Sequence, residues 1–403
     1  MLTTTQSEQL IELRRDFHRH PELAHQEHRT AGIVAERLRS LGLDEIRTGV
    51  GQTGVVGVLR GDKPGKTVLL RADMDGLPLT ETDRGQPYRS TTTGTHHACG
   101  HDGHTAILLT VAELLVARRK DLPGTVTFAF QPAEERVDGA AGMIKDGALE
   151  PRPDACFGLH LWNEVEVGQI DARNGPVYAS ADAFVITLSG PGGHGGMPHQ
   201  VPDPVVASAQ LIVALQTLIS RESSPLEPAV LTIGSIHGGT APNIIPMRVE
   251  MHGTLRVFDP ALREHLLCRM REVVQGMAAT FRLESDVRST DACPATINNA
   301  EMSELVRNVG ARVLGEHNVR SSCRTTASED MSLFLNEVPG CFFFVGSANA
   351  QRGLASPHHS PTFDFDERAL DVGVRVLTSV ALEFLERTAT AEYGTAKSLS
   401  GEK

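Results

Sequence analysis

The sequence is poor in aromatic side chains and in positive charge, and each shortage disfavours a class of partner. Aromatic residues make up 4% of the 403 residues, with a single tryptophan, so base-stacking platforms for nucleic acid are poorly supplied. The formal net charge is -12, which disfavours binding to a phosphate backbone or to an anionic membrane. We therefore expect neither a nucleic-acid partner nor a membrane partner.

Signals for export and for disulfide pairing are also missing. The first residues, MLTTTQSEQLIELRRDF, contain no basic region followed by an apolar run and a small-residue cleavage site. The longest apolar stretch, around Ala106 to Ala117, is too short to span a membrane. The six cysteines lie far apart without a CxxC pair, which is typical of free thiols. These features predict a cytoplasmic protein.

The composition that remains is that of a globular chain with more than one domain. Hydrophobic residues make up 40% and charged residues 22%, and a chain of this length exceeds one ordinary core. Strand patterns at 67–72, 125–130 and 155–161 alternate with helix patterns at 27–41, 105–119 and 140–147. The pattern predicts an α/β layer, in which a sheet is covered by helices.

The pattern changes between residues 181 and 290. It reads strand 183–189, helix 204–220, strand 229–237, strand 248–257, helix 260–279 and strand 282–288. This βαββαβ order is that of the ferredoxin-like unit. We expect 181–290 to be an inserted domain and 1–180 with 291–387 to form one discontinuous domain. Residues 388–403 are expected to be a frayed tail.

The strongest local signal is the segment Gly94–His104, which reads GTHHACGHDGH. Cys99 and His101 stand two residues apart directly before a predicted helix. Thiolate, imidazole and carboxylate groups are the usual ligands of zinc and neighbouring metals. A solvated His-rich loop is the alternative interpretation. The segment also contains His96, His97, Asp102 and His104.

Further candidate ligands follow predicted strands. Glu134 and Glu135 come at the end of a strand, in the segment QPAEE, where α/β sheets usually carry their sites. Neighbouring residues of an extended chain point in opposite directions, so the two carboxylates can have different roles. His160 ends an apolar strand, and His359 lies in a polar turn before the last predicted helix. Each is open to a structural interpretation when taken alone.

Eight motifs follow one another along the chain: RADMDGLPLTE, HHACGHDGHT, QPAEE, GLHLWN, GGHGGMPH, GGTAPNIIP, SEDM and HSPTFDFDE. In this order they resemble subfamily D of the M20 metallopeptidase family, and the likeness covers roughly residues 10 to 385. The family includes N-acyl-amino-acid amidohydrolases, hippurate hydrolases and auxin-conjugate hydrolases.

The resemblance implies a fold and a reaction. The fold is a central mixed sheet with helices on both faces, of the zinc-exopeptidase type, with the ferredoxin-like unit as a lid and dimerisation domain. The reaction is hydrolysis of the amide bond of a small N-acyl amino acid, such as an N-acetyl or N-benzoyl derivative, by metal-activated water. The chain is then a homodimer or a higher homo-oligomer through the inserted domain.

The resemblance also implies a site. The site contains two divalent metal ions per subunit, which are Zn, Mn, Co or Ni. Glu134 lies beside them as the general acid/base. Many relatives in the wider superfamily carry His-x-Asp where this chain has Asp73-Met74-Asp75, and an Asp where Cys99 or His101 stands. We therefore expect Asp73 and Asp75 to orient ligands rather than to bind metal. The implied metal ligands are Cys99, His101, Glu135, His160 and His359.

Candidate residues for the substrate lie in the inserted domain. His194, in GPGGHGGMPH, resembles the family residue that reaches across a dimer to stabilise the oxyanion, and a solvent-facing loop is the alternative. Asn243 and Arg256 offer amide and guanidinium donors that match a substrate carboxylate, although Arg256 equally suits a surface strand. Glu329 and Asp330, in SEDM, are assigned no further than helix capping or support of a ligand.

Three other functions compete with this interpretation. The same site suits a dipeptidase or a deacetylase of a specific biosynthetic intermediate, and the sequence does not separate these. A catalytically silent ligand-binding protein is disfavoured because Glu134 and the implied ligands are all present. A purely structural metal protein is disfavoured because structural zinc sites usually use four Cys and His ligands without a spare carboxylate.

Overall fold

The computed structural model describes the backbone of residues 2–399, and side chains outside 290–292 and 388–399. The chain divides into two compact units. The first unit contains the residues up to Gly175, Ile297–Cys323 and the residues from Asp330 onward; the second contains Pro176–Thr296 and Arg324–Glu329. The tail expected at 388–403 falls on residues whose side chains or placement lie outside the described part of the chain, and it stays a prediction.

The helices and strands of the described residues are numbered in chain order. The helices are α1 (Thr4–Arg19), α2 (His28–Ser40), α3 (His101–Val116), α4 (Gly139–Lys145), α5 (Pro204–Thr217), α6 (Pro260–Thr280), α7 (Ala300–Leu314), α8 (Met331–Glu337) and α9 (Arg368–Leu399). The strands are β1 (Glu45–Val50), β2 (Gly54–Arg60), β3 (Lys63–Asp73), β4 (Pro123–Gln131), β5 (Ala155–Glu166), β6 (Ile170–Asp171), β7 (Gly175–Tyr178), β8 (Ala181–Ser189), β9 (Gly193–His194), β10 (Ala229–Gly238), β11 (Ile244–Ile245), β12 (Arg248–Val257), β13 (Glu284–Cys293), β14 (Thr296–Asn298), β15 (Val319–Arg320) and β16 (Gly340–Ala348).

A mixed sheet organises the first unit. Its strand order is β1-β2-β4-β3-β5-β16-β6-β15, with β4, β3, β5 and β16 parallel and β1, β2 antiparallel at one edge. In the parallel part Leu70 lies opposite both Phe128 and Phe157. These central strands are buried over nearly their whole length, as expected for parallel strands covered on both faces.

Helices cover both faces of this sheet. Leu70 belongs to a core shared with α3 and α9. Side chains alternate along a strand, so the next residue, Arg71, points to the opposite face, where it binds Asp330 directly before α8. Helix α3 is buried over most of its surface and carries apolar residues all round. The predicted α/β class, with helices on both faces, is confirmed.

The second unit is a four-stranded antiparallel sheet with two helices. The sheet order is β10-β12-β8-β13, and the chain order β8, α5, β10, β12, α6, β13 is the βαββαβ order predicted from the pattern. Alternate residues of β8 are buried, and they share a core with α5 and α6. Asp203 and Asp259 cap these helices through side-chain bonds to backbone N–H groups.

Helix α5 ends three residues before the predicted end at residue 220, and a π-helical turn continues the helical stretch to Glu222. Pro204–Glu222 is long and apolar enough to span a membrane by length and composition. The same test is passed by core helices of soluble proteins, and here Leu211, Leu215 and Leu218 belong to the core of the second unit. The stretch is therefore weak evidence for a membrane span.

Candidate metal centre

The donor groups of the first unit come together from separate elements. Cys99 lies in the turn before α3, His160 lies in β5, and the two side chains approach to 3.5 Å between Sγ and Nε2. His101 is the first residue of α3, which starts four residues earlier than predicted. Gly100 separates the two donors and has φ 91°, a left-handed conformation that favours glycine.

Two groups of donor atoms share the Cys99 thiol. The first is Cys99, His101 and His160, and the second is Cys99, Glu135 and His359. Within each group one ligand atom from each residue lies within 4.8 Å of the others, and His359 Nε2 is 3.3 Å from Glu135 Oε1. The five residues that the resemblance implied as ligands therefore converge, and the thiol stands between the two sets.

Glu134 lies beside both groups and is buried. Its Oε2 is 3.9 Å from His101 Nε2, the same distance that separates His101 Nε2 from Glu135 Oε1. The two adjacent glutamates occupy a short 3-10 turn after β4, so both carboxylates reach one edge of the sheet.

The state of the donor atoms indicates which kind of ligand this cluster can bind. His101 Nε2 and Glu135 Oε1 are buried and have no hydrogen-bond partner in the described part of the chain. Buried polar atoms of native proteins are nearly always hydrogen-bonded. Two buried atoms without such a bond are therefore expected where a metal ion is their partner. Imidazole, thiolate and carboxylate are suitable ligands for Zn, Mn, Co or Ni. The residues therefore fit divalent cations.

Electrostatics inside the cluster agree with this chemistry. Burial, reinforced by the Glu135 and Glu134 carboxylates, raises the pKa of the Cys99 thiol well above its ordinary value. Burial lowers the pKa of His101, but Asp73 and Asp75 outweigh it and raise that pKa to about 10. Without metal, the Cys99 thiol and the His101 imidazole therefore keep their protons. A bound cation would displace those protons.

Asp73 and Asp75 lie behind the donors and orient them. Asp75 Oδ1 accepts from His101 Nδ1 at 3.2 Å, so the Nε2 atom points toward Glu134. Asp73 Oδ1 accepts from His104 Nδ1 at 2.6 Å and lies 3.8 Å from His101 Nδ1. The predicted orienting role of both carboxylates is consistent with these contacts.

Of the groups that hold these carboxylates, Arg71 was not assigned from the sequence, and Asp330 was assigned no further than helix capping or support of a ligand. Arg71 donates to Asp73 at 2.7 Å and to Asp330 at 3.1 Å, and all three side chains are fully buried. The Asp330 side chain also accepts from the backbone N–H of Ala140 at the start of α4. Although Asp330 directly precedes α8, its side chain makes no capping bond to that helix. His104 uses its other ring nitrogen to accept from Leu161 N. Only the charged character of Arg71 in an apolar strand signals such a role in the sequence.

The remaining polar residues of the His-rich segment belong to a separate buried cluster. His18 donates to Asp102 at 2.7 Å and to Glu81 at 3.1 Å, and Arg14 donates to Asp102 at 2.7 Å. His96 lies against this cluster, with its Nε2 3.6 Å from Glu81 Oε1. Asp102 therefore joins α3 to α1 instead of lying in the metal centre.

The candidate substrate residues lie in the second unit. His194 and Asn243 occupy neighbouring segments, in which His194 pairs with Ile244 and Gly195 N donates to Asn243 O at 2.8 Å. Gly196 N donates to His194 Nδ1 at 2.9 Å, which leaves Nε2 as the proton-bearing nitrogen. Arg256 lies elsewhere, on β12 opposite Val230.

Comparison with known proteins agrees with this arrangement. The pattern of peptidase family M20/M25/M40 matches residues 69–383. Thermostable carboxypeptidase 2 of Saccharolobus solfataricus is 39% identical over 93% of this chain and 95% of its own. N-acetyl-L-cysteine deacetylase of Bacillus subtilis is 38% identical over 91% of this chain and 86% of its own. A Bacillus subtilis protein described as a dinuclear metal binding peptidase from the M20 family is 33% identical, with a TM-score of 0.85 and coverage of 96% and 99%.

These matches extend over both units and include the segments that carry the donor groups. Identity above one third over more than nine tenths of the chain leaves the family in no doubt. The chain belongs to peptidase family M20/M25/M40 and is a hydrolase that acts on amide bonds.

Proposed function

We propose that the protein hydrolyses the amide bond of N-acyl amino acids and releases a carboxylic acid and a free amino acid. The observation that carries this proposal is the pair of donor groups that share Cys99 with Glu134 beside them. Two divalent cations are the proposed cofactors. Cys99, His101 and His160 would hold one of them, and Cys99, Glu135 and His359 would hold the other.

The reaction needs a better electrophile than an amide and a better nucleophile than neutral water. When bound, the cations supply both by polarising the carbonyl and lowering the pKa of water. Glu134 takes the proton from the attacking water and delivers it to the amide nitrogen, which then leaves as an amine. Because Asp75 accepts from the backbone N–H groups of Glu134 and Glu135, the Glu134 carboxylate stays in reach of both proton transfers.

Groups of the second unit are proposed for binding and for charge stabilisation. His194 donates from Nε2–H to the oxyanion, in the tautomer that the Gly196 N–H selects. The resemblance to the family implies that His194 acts in the active site of the partner chain. Asn243 and Arg256 are proposed to bind the free carboxylate of the substrate through amide and guanidinium donors.

The substrate class has a second candidate, because one relative is named as a carboxypeptidase and another as a deacetylase. A peptidase would release a C-terminal amino acid from a peptide by the same chemistry. A panel of N-acetyl, N-benzoyl and indole-acyl amino acids alongside dipeptides separates the two. Faster turnover of the dipeptides would favour the second candidate.

Replacement of Glu134 by Gln tests the assigned proton transfer. Glutamine has a similar shape but no acidic proton, so we expect kcat to fall by about 10²- to 10⁴-fold while bound metal stays at two ions per chain. Steady-state hydrolysis and metal analysis by mass spectrometry measure the two quantities. Turnover at the wild-type rate would reject the role of Glu134.

His101→Ala is the matched control for that experiment. This variant removes a proposed ligand rather than the proton carrier, so metal content and activity should fall together. A variant with full metal content would reject ligation by His101. The two substitutions thus separate binding of the cations from transfer of the proton.

We also propose that the chain forms a homodimer through the second unit. Val205, Val206 and Val213 of α5 are large apolar side chains that are about half exposed or more. Strand β10 is an edge of its sheet in the described structure and exposes Val230 and Ile236. Exposed apolar patches and unprotected strand edges are typical of protein interfaces.

The cytoplasm is the proposed compartment. All six cysteines are free, and four of them, Cys99, Cys156, Cys293 and Cys341, are buried. Free thiols persist in a reducing compartment, where a proposed ligand such as Cys99 stays available for metal.

A further inference from the structure

The turn that presents Glu134 has a left-handed backbone at a residue that is not glycine. Ala133, directly before Glu134, has φ 52° and ψ 38°. The turn closes with a hydrogen bond from Val137 N to Glu134 O at 2.7 Å, and Val137 also has a positive φ, of 60°. A non-glycine residue keeps this conformation only where its surroundings enforce it.

Carboxylates from two distant segments bind three successive N–H groups of this turn. Glu27 Oε1 accepts from Ala133 N at 2.9 Å. Asp75 accepts from Glu134 N through Oδ1 and from Glu135 N through Oδ2, both at 3.1 Å. The backbone on either side of the proposed proton carrier is therefore held by side chains, and Glu27 holds the left-handed residue itself.

Glu27 is well placed to hold the turn because it is itself fixed. It is fully buried, and its backbone stands directly before α2, where its carbonyl accepts from Ala31 N. Thr53 donates a short hydrogen bond to Oε2, and His25 N donates to Oε1 at 3.0 Å. Both carboxylate oxygens are thus bonded, and the side chain has no freedom to follow a moving turn.

We infer that Glu27 is a positioning residue for amide hydrolysis, which acts by fixing the Ala133 turn so that Glu134 faces the donor groups. The inference rests on the proposed role of Glu134. The carboxylate of Glu134 stands 3.9 Å from His101 Nε2, and the next residue, Glu135, stands 3.3 Å from His359 Nε2. A shift of the turn moves both glutamates relative to the other donors at once.

Three substitutions test this role on the full-length, metal-loaded protein. Glu27→Ala removes both acceptor oxygens, and Glu27→Gln keeps one oxygen for the Ala133 N–H. Glu22→Gln is the matched control, because Glu22 makes the same kind of bond, to the backbone of Arg29 and Thr30 at the start of α2, and does not bind the turn. The readouts are kcat, KM, metal content and amide hydrogen exchange of the peptide that spans residues 132–138.

We expect Glu27→Ala to lower kcat by about 10- to 100-fold, as loss of a group that orients a metal-site residue typically does. KM should change little, and hydrogen exchange across 132–138 should become faster. Glu27→Gln should recover most of the lost kcat, and Glu22→Gln should resemble the wild type in every readout. A Glu27→Ala variant with wild-type kcat and wild-type exchange at 132–138 would overturn the inference.

Two further variants keep the test decisive. If Glu27→Ala does not fold, Thr53→Val is used instead, because it removes only the hydroxyl that fixes Glu27. This variant should lower kcat and make hydrogen exchange at 132–138 faster. No change in either quantity would overturn the inference. Glu134→Gln is measured in parallel. If that variant keeps full activity, the proposed function fails by itself, whereas hydrogen exchange still reports whether Glu27 fixes the turn.

Discussion

At the scale of single residues, buried charges of the first unit form short chains of bonds that end at the proposed ligands. Asp330, Arg71 and Asp73 are fully buried and bonded in series, and Asp73 ends 3.8 Å from His101 Nδ1. A buried charge without a partner is costly, so each member requires its neighbour. The chain of bonds therefore fixes Asp73, which accepts from His104, while Asp75 accepts from His101 itself.

The buried cluster around Glu81 gives a prediction for acid stability. Burial raises the pKa of Glu81, but bonds from His18 and the Ser90 N–H outweigh it and lower that pKa to about 2. A carboxylate whose pKa falls on folding stabilises the folded state above its ordinary pKa of 4.5, and this contribution is lost as the pH falls toward 2. We expect Glu81→Gln to lower the free energy of unfolding by about 1–3 kcal/mol at neutral pH, with the difference from wild type shrinking between pH 4.5 and 2.

Urea denaturation of the metal-free protein measures this difference. Trp162 is the single tryptophan and lies in β5, so its fluorescence follows the first unit. Glu304→Gln, at an exposed position of α7, is the control and should match the wild type at every pH. A deficit of Glu81→Gln that stayed constant from pH 7 to 2 would contradict the assignment.

At the scale of elements, the junction between the Cys99 turn and α3 depends on one glycine. Gly100 has φ 91°, and an added Cβ would meet Leu161 only at an ordinary contact distance of 3.6 Å. The cost of a side chain there comes from the backbone, at about 1–2 kcal/mol for a left-handed residue. Since Gly100 joins Cys99 to His101, we expect Gly100→Ala to lower the free energy of unfolding by that amount and to weaken metal binding.

The measurements for Gly100→Ala are urea denaturation by Trp162 fluorescence and metal competition against a chelator. Gly32→Ala is the matched control, because Gly32 lies within α2 and an added Cβ there has nothing within 4 Å. Alanine should stabilise that helix by about 0.5–1 kcal/mol and leave metal binding unchanged. Equal effects of the two substitutions would show that the left-handed turn has no special role.

The elements were more predictable from the sequence than the contacts between them. Periodicity predicted β12 at 248–257, where it is observed, and the βαββαβ order of the second unit. Helix α1 was missed, although Leu10, Leu13 and Phe17 of its buried face stand at helical spacing. No local pattern indicates the Arg71–Asp330 bond, which joins residues 259 positions apart, since only the sheet brings them together.

At the scale of the whole molecule, each site would depend on two chains if the proposed dimer forms and exchanges His194. Val213 of α5 is 67% exposed, so Val213→Glu places a charge on the proposed interface without disturbing a core. We expect light scattering to give twice the 43.4 kDa of one chain for the wild type and a single-chain mass for Val213→Glu. Gln275→Glu adds the same charge at an exposed position of α6 and should leave the dimer intact. A wild type that stays a single chain would exclude the dimer.

The proposed exchange of His194 between chains can be tested by mixing two inactive variants. Glu134→Gln lacks the proton carrier, and His194→Ala lacks the oxyanion donor. If His194 serves the partner's site, a mixed dimer contains one complete site, formed by Glu134 of one chain and His194 of the other, and the mixture regains part of the activity. If His194 serves its own chain, both sites of the mixed dimer stay incomplete. Absence of activity in a mixture that contains mixed dimers would therefore place His194 with its own metal centre.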